Sequence, residues 1–336
     1  MLTLRREHPD VFLLDPADAP GLSRYLAGRA LIAADEQILD VSRAGEGNMN
    51  CTVRATTGRQ RLIVKQARPW VEKYKHIAAP WDRSLVEAAF YRIAASDPAL
   101  AHRMPRLIHA DRDSRVIVLE DIGGHDFTAL YDGAVLTDEE CRALVDYLLA
   151  LHRVVVPASY RTLLANHDMR ALNHDHMFCV PLTAANGLAL DTVTPGLQEL
   201  ADNLKRDSEY VACVAALGRR YLADGDHLVH GDCFPGSWLH STRGVVVIDP
   251  EFCFLGRGEF DFGAMSAHLL MARQSGAHVQ SVLRAEPDTY DGELTRQFAG
   301  VEVMRRLIGV AQLPLPLTLD QKAGLLAQSR HMVLGR

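Results

Sequence analysis

Four β-branched residues in a row, Val245, Val246, Val247 and Ile248, run straight into Asp249, and Glu251 follows two positions later. Upstream, Asp232 sits on a tight turn made by His230, Gly231 and Asp232 itself. A run of that kind reads as a buried strand, which sets Asp249 where the strand stops. Buried carboxylates are costly unless they are paired or bound to metal. Three acids gathered around one strand-loop-strand unit therefore predict a divalent cation with a proton acceptor beside it, the outline of phosphoryl-transfer chemistry.

The remainder of the chain has to form a body around that unit. Its 336 residues suffice for about two domains and a well-buried core. Hydrophobic residues make up 48% and charged residues 23%, as in ordinary globular proteins. A net charge of −6 argues against a nucleic-acid or anionic-membrane partner. Six cysteines without a CxxC pair are the usage of a reduced, cytoplasmic protein. The N-terminal stretch carries Arg5 and Arg6 but no apolar h-region, and no segment approaches the length of a membrane span, so neither secretion nor spanning is expected.

Strands are predicted at 38–43, 50–55 and 61–67, separated by turn signals at Gly45-Glu46-Gly47-Asn48 and Thr57-Gly58, the pattern of an antiparallel meander. A helix over 83–95 follows, with Asp82 as its expected cap, and then two more strands at 106–109 and 115–120. Beyond that the pattern turns helical. Thr137 to Glu140 form a capping box, and helices are expected at 197–222, 261–273, 291–311 and 319–333. The boundary falls near residue 121, dividing the chain into 1–121, a small sheet with one helix, and 122–336, a larger helical body. Gly123 and Gly124 give the connection room to turn.

Lys65, late in a strand, would alone read as a solvent-facing edge lysine. With Glu87 on the following helix it instead predicts the lysine–glutamate ion pair that a kinase site requires, holding nucleotide phosphates. Gly45, Gly47 and Asn48 lie upstream, where a glycine loop would cover those phosphates with backbone N–H groups. No GxxxxGK[ST] is present, so a P-loop is excluded. His230-Gly231-Asp232 and Ile248-Asp249-Pro250-Glu251 reproduce the order of a kinase catalytic-loop aspartate and a later magnesium-binding aspartate. Ser237 stands where such kinases place a metal-binding asparagine. Asp261 is expected to cap a helix or anchor a loop. Cys233 and Cys253 are expected to be small packing residues. Residues 173–176 (NHDH) are not expected to bind metal, since helix positions two apart do not share a face and no third ligand has suitable spacing.

Taken together, these motifs resemble the small-molecule branch of the protein-kinase-like fold, which includes aminoglycoside phosphotransferases, choline kinases and S-methyl-5-thioribose kinases. Similarity is greatest to the methylthioribose kinase family. It runs through Gly47-Asn48-Met49-Asn50, Val64-Lys65-Gln66-Ala67, 166–178 (NHDMRALNHDHMF), Leu228 to Asp232 with Gly236-Ser237, Ile248 to Phe252, and Met304-Arg305-Arg306, nearly the whole of 30–310. The resemblance implies an α+β, two-lobed fold, with an antiparallel-sheet N-lobe that binds ATP and a mostly helical C-lobe that binds substrate. Asp232 would be the catalytic base, Asp249 and Glu251 the Mg²⁺ ligands, and Glu120 to Ile122 the adenine contact. Arg305 or Arg306 would touch the acceptor. A tendency to dimerise is also implied, which leaves a homodimer open. The chain departs from the family where Cys233, Phe234 and Pro235 replace the middle of its HGDLHTGS loop. It departs again where the tryptophan loop that helps close over substrate is shortened to Ala79-Pro80-Trp81-Asp82. The expected activity is therefore an ATP-dependent kinase of a sugar-like alcohol, led by methylthioribose or another 5-substituted or 5-deoxy pentose, with an amino alcohol or aminoglycoside as the next acceptor. A metal-dependent phosphohydrolase and a non-catalytic nucleotide-binding module are the rivals from other classes.

Overall fold

The computed structural model describes residues 2–336 except Glu46, Asn48 and Glu286, together with the side chains of all of these but Leu2, Thr3 and Arg5. The chain forms two compact units, one up to Gly123 and the other from Gly124 onward.

The first unit contains α1 (Leu2–Glu7), α2 (Ala19–Ala27), β1 (Ile38–Arg43), β2 (Cys51–Thr57), β3 (Arg61–Gln66), α3 (Arg83–Ala94), α4 (Pro98–His102), β4 (Leu107–Asp111) and β5 (Val116–Glu120). The strands form one antiparallel sheet in the order β1-β2-β3-β5-β4. Strand residues alternate between faces, and the apolar alternates Cys51, Val53, Ala55, Leu62, Val64, Val116 and Val118 share a core with Leu22, Tyr25 and Leu26 of α2. Lys65, next to Val64, therefore points to the opposite face. The sequence pattern predicts only α3 of these helices. The signal for α2 was present: Asp18 caps it through the Gly21 N–H, with Pro20 in its first turn. Asp82 precedes α3 but makes no side-chain cap; its carboxylate accepts from Arg115 Nε at 2.9 Å.

The second unit holds β6 (His125–Asp126), α5 (Asp138–Leu151), α6 (Ala158–Ala165), α7 (His167–His174), α8 (Leu197–Arg206), α9 (Ser208–Leu222), β7 (His227–Val229), β8 (Trp238–Ser241), β9 (Gly244–Val247), β10 (Phe254–Gly256), α10 (Glu259–Met271), α11 (Gly276–Ala285), α12 (Gly292–Ile308) and α13 (Leu319–Leu334). Thr137 makes the expected capping box with Glu140. The helix predicted over 197–222 is two helices. Asp207 leaves helical geometry and its carboxylate caps α9 through the Tyr210 N–H, so a polar residue mid-pattern ends one helix and begins the next. In the core, α12 packs against both α10 and α13. Among the described residues no helix is long and apolar enough to cross a membrane.

Candidate active site

In the first unit, Lys65 Nζ lies 2.7 Å from Glu87 Oε1, and both side chains are buried. β3 sets the lysine opposite Thr52 of β2 and Ile117 of β5, while α3 presents the glutamate. Gly45 (φ +80°) and Gly47 border a cavity of about 400 Å³ that is also lined by Thr52 and Glu72. Asn48, expected in this loop, lies outside the described residues. The loop's far end is secured by Arg83, which no motif singled out. Fully buried, it donates to Asn50 Oδ1 and to the carbonyls of Met49, Arg68 and Pro80 at 2.7–2.9 Å. An arginine in the first turn of a helix reads as a solvated residue, so nothing local announced this role. Trp81 is also committed within this unit, its indole N–H bonded to the Ala67 carbonyl at 3.0 Å and its ring covered by the Arg115 guanidinium.

At the end of β5 the Glu120 N–H is bonded to the Arg106 carbonyl. Asp121 holds the following turn, with Arg54 Nε at 2.8 Å, Arg61 Nε at 3.2 Å and the Gly123 N–H at 3.0 Å. Gly123 and Gly124 both take left-handed conformations, as expected of the connection, and a Cβ on Gly124 would meet the His240 carbonyl oxygen at 1.8 Å.

In the second unit β7 delivers the His230-Gly231-Asp232 turn, which Asp261 holds from below. The Asp261 carboxylate accepts the N–H groups of His230 (2.7 Å) and Gly231 (3.0 Å), and pairs with His152 Nε2 at 3.0 Å. It thus anchors the loop, one of its two expected roles. Burial alone would push this carboxyl up. The hydrogen bond and charge of His152, with His230, outweigh burial and hold it below the ordinary range. Gly231 has φ +84°, and a Cβ there would lie 2.1 Å from the Phe252 carbonyl oxygen. His230 is structural, with Nε2 on the Ile248 carbonyl at 3.0 Å.

Asp232 Oδ1 receives two guanidiniums, Arg305 Nη2 at 2.9 Å and Arg306 Nη2 at 2.6 Å. Both arginines thus converge on the acid, although neighbouring helix positions point about 100° apart. Asp249 follows β9 in a left-handed conformation (φ +65°), uncommon for a residue with a Cβ and concentrated at functional sites. Glu251, two residues on, is buried. Ser237 is engaged by its own loop: its hydroxyl accepts the Phe234 N–H and lies 2.8 Å from the Phe234 carbonyl. Its carbonyl takes the Ile248 N–H, joining the two acidic segments. Cys233 is a buried packing residue as expected, its thiol pushed up by burial and by Asp261. Phe234 stacks 4.9 Å from the Arg306 guanidinium. A π-helical turn over Asp175–Cys179 brings Cys179 Sγ within 3.8 Å of His174 Nδ1, a neighbour that helical spacing did not predict.

Comparison with known proteins decides the family. The phosphotransferase enzyme family matches residues 40–295. The chain belongs to that family. Among curated relatives, the methylthioribose kinase of Exiguobacterium sibiricum is 30% identical over 68% of this chain and 60% of its own length. That of Erwinia tasmaniensis is 27% identical over 76% of this chain and 65% of its own. The match thus spans somewhat under two thirds of these relatives. Among solved structures, choline kinase LicA from Streptococcus pneumoniae aligns with a TM-score of 0.52 at 14% identity, over 94% of this chain and 98% of its own. An AMP-bound spectinomycin phosphotransferase aligns at 0.54 and 12%, with the same coverage. At such identities the likeness is one of fold, and this phosphotransferase has the protein-kinase-like α+β fold expected from its sequence.

Proposed function

We propose that this phosphotransferase is an ATP-dependent small-molecule kinase that phosphorylates a hydroxyl of a neutral, sugar-like acceptor, with methylthioribose or a related 5-substituted pentose leading. One observation carries the kinase assignment: the buried Lys65–Glu87 pair at 2.7 Å, a part that a protein-kinase type of site requires for phosphoryl transfer from ATP and a phosphohydrolase would not. The names of the relatives point the acceptor toward methylthioribose.

In this scheme Lys65, held by Glu87, grips the α- and β-phosphates, and backbone N–H groups around Gly45 and Gly47 cover them. The Glu120 carbonyl and the Ile122 amide bind adenine. Asp249 and Glu251 suit Mg²⁺: both are hard oxygen donors, two residues apart, and Asp249 holds the left-handed backbone conformation that concentrates at functional sites. The ion would neutralise charge building on the transferred phosphoryl group. Ser237 contributes by shaping the loop. With Oδ1 of Asp232 held by two guanidiniums, Oδ2 orients the acceptor hydroxyl and takes its proton late in a loose transition state. Catalysis rests on positioning and electrostatics.

The arginine pair also favours one class of acceptor. Both guanidiniums are paired with Asp232, so that carboxylate is not left as an unpaired anion for a protonated amine, and a neutral sugar fits better than an amino alcohol or aminoglycoside. We place the protein in the reducing cytoplasm, where its six cysteines would stay the reduced thiols they are in the structure. The test is an ATP-consumption screen across 5-substituted riboses, other pentoses, amino alcohols and aminoglycosides, with the phosphorylated position assigned by NMR. Turnover should be highest with a neutral 5-substituted ribose, and Asp232→Asn should lower kcat by about 10²–10⁴-fold. Phosphate release from esters without nucleotide, or no ATP-dependent product from any alcohol, would refute the kinase assignment.

A further inference from the structure

A buried line of polar groups runs behind Asp232 and its two arginines, made of Glu302, His268 and Tyr131. The Tyr131 hydroxyl lies 2.7 Å from His268 Nδ1, and His268 Nε2 lies 2.9 Å from Glu302 Oε1. The same Glu302 oxygen accepts from Arg306 Nε at 2.7 Å, and the other accepts from Arg305 Nε at 2.5 Å. The two Nη2 atoms complete the line on Asp232 Oδ1. Glu302 is 1% exposed and His268 is fully buried.

Donor and acceptor rules set the direction of the bonds to Glu302 and Asp232. Guanidiniums only donate and an ionised carboxylate only accepts. His268 therefore carries a proton on Nε2, and as the neutral imidazole that its burial favours it accepts the Tyr131 hydroxyl at Nδ1. Charges then cancel: two arginines against Asp232 and Glu302, with a neutral histidine. Burial lowers the His268 imidazole, and Glu302 only partly offsets it. Burial would raise the Glu302 carboxyl, but Arg305 and Arg306 hold it well below the ordinary range. Geometry supplies the reason for Glu302. It stands three and four residues before the arginines, on the helix face that both can reach, so it gathers two side chains that would otherwise diverge.

We infer that Glu302 is a positioning residue for phosphoryl transfer, holding Arg305 and Arg306 together on one oxygen of Asp232 while His268 and Tyr131 fix Glu302 itself. This inference rests on the kinase assignment. Glutamine at 302 has one accepting oxygen and an NH2 that faces a guanidinium donor, so one arginine is released and the cluster gains a net positive charge. A displacement of about 1 Å at reacting groups can cost about 10²-fold.

The test compares wild type, Glu302→Gln and Tyr131→Phe in steady-state kinetics with both substrates, corrected for the folded fraction, and in ¹⁵N spectra of the arginine Nε–H groups. For Glu302→Gln, kcat should fall about 10–100-fold with KM for ATP within about twofold of wild type, and one slowly exchanging Nε–H signal should vanish. For Tyr131→Phe, which leaves every charge in place, a smaller loss of the same kind is expected, and this variant decides the matter if Glu302→Gln does not fold. Wild-type kcat in the folded variants, or a loss fully explained by unfolded protein, overturns the inference. Inactivity of the wild type on every acceptor would instead sink the kinase assignment beneath it.

Discussion

Replacing Asp261 by asparagine removes one charge at a site where three donors converge: the His230 and Gly231 amides and His152 Nε2. The asparagine oxygen can accept two of them, and its NH2 must face the third. One buried donor left without an acceptor costs about 1–3 kcal/mol. Bonds to a charged acceptor are roughly twice as strong as neutral ones, so each surviving bond weakens by about 1 kcal/mol. The sum is about 3–5 kcal/mol, a large share of the roughly 5–15 kcal/mol that a domain has in hand. For a unit of this size the melting temperature should drop by roughly 6–20 °C. Turnover should fall as well, because the same amides hold the peptide that carries Asp232.

The pH dependence gives that prediction a sign. The Asp261 carboxyl is held below its ordinary value in the folded protein. Its contribution is therefore fully present above the unfolded value, about 3.9, and is lost as pH falls through the folded one. The stability gap between wild type and Asp261→Asn, followed from about pH 3 to 8, should shrink in the most acid solutions as that contribution is lost. Urea unfolding monitored by circular dichroism across that range is the assay. A gap below about 1 kcal/mol at neutral pH would refute the claim that Asp261 anchors the loop.

Three further outcomes are expected. Glu87→Gln should lower kcat/KM for ATP by about 10–100-fold, since a neutral partner no longer fixes the Lys65 ammonium; initial rates against ATP concentration check this. Gly231→Ala should abolish turnover or soluble expression, because it adds a Cβ 2.1 Å from the Phe252 carbonyl oxygen to a left-handed backbone that costs about 1–3 kcal/mol. Gly324→Ala, at an exposed position inside α13 with nothing within 4 Å of the new methyl, should instead raise stability by about 1 kcal/mol in thermal denaturation, with turnover unchanged.

Local chemistry made much of this protein legible from its chain alone. The turn signals that set off β2 and β3, the capping box at Thr137 and the run ending at Asp249 each depend on residues a few positions apart, and the elements formed where those signals put them. Lys65 with Glu87 could be paired because a strand followed by a helix offers few alternatives. The break at Asp207 was local too, but a polar residue within an apolar rhythm was absorbed into one long helix.

What only the folded chain decided are the roles of Arg83, Asp121, Asp261 and Glu302. As charged residues at helix or turn positions, the first, second and fourth resemble a solvated surface, and the third left capping and anchoring equally open. Their meaning comes from partners brought together by packing: loop carbonyls around Arg83, two strand arginines on Asp121, the amides of the Asp232 turn on Asp261, and two guanidiniums on Glu302. A buried charge is stable only where such partners meet it. Periodicity along the chain reports which face is apolar, whereas the groups that neutralise a buried ion arrive from elements far away in sequence.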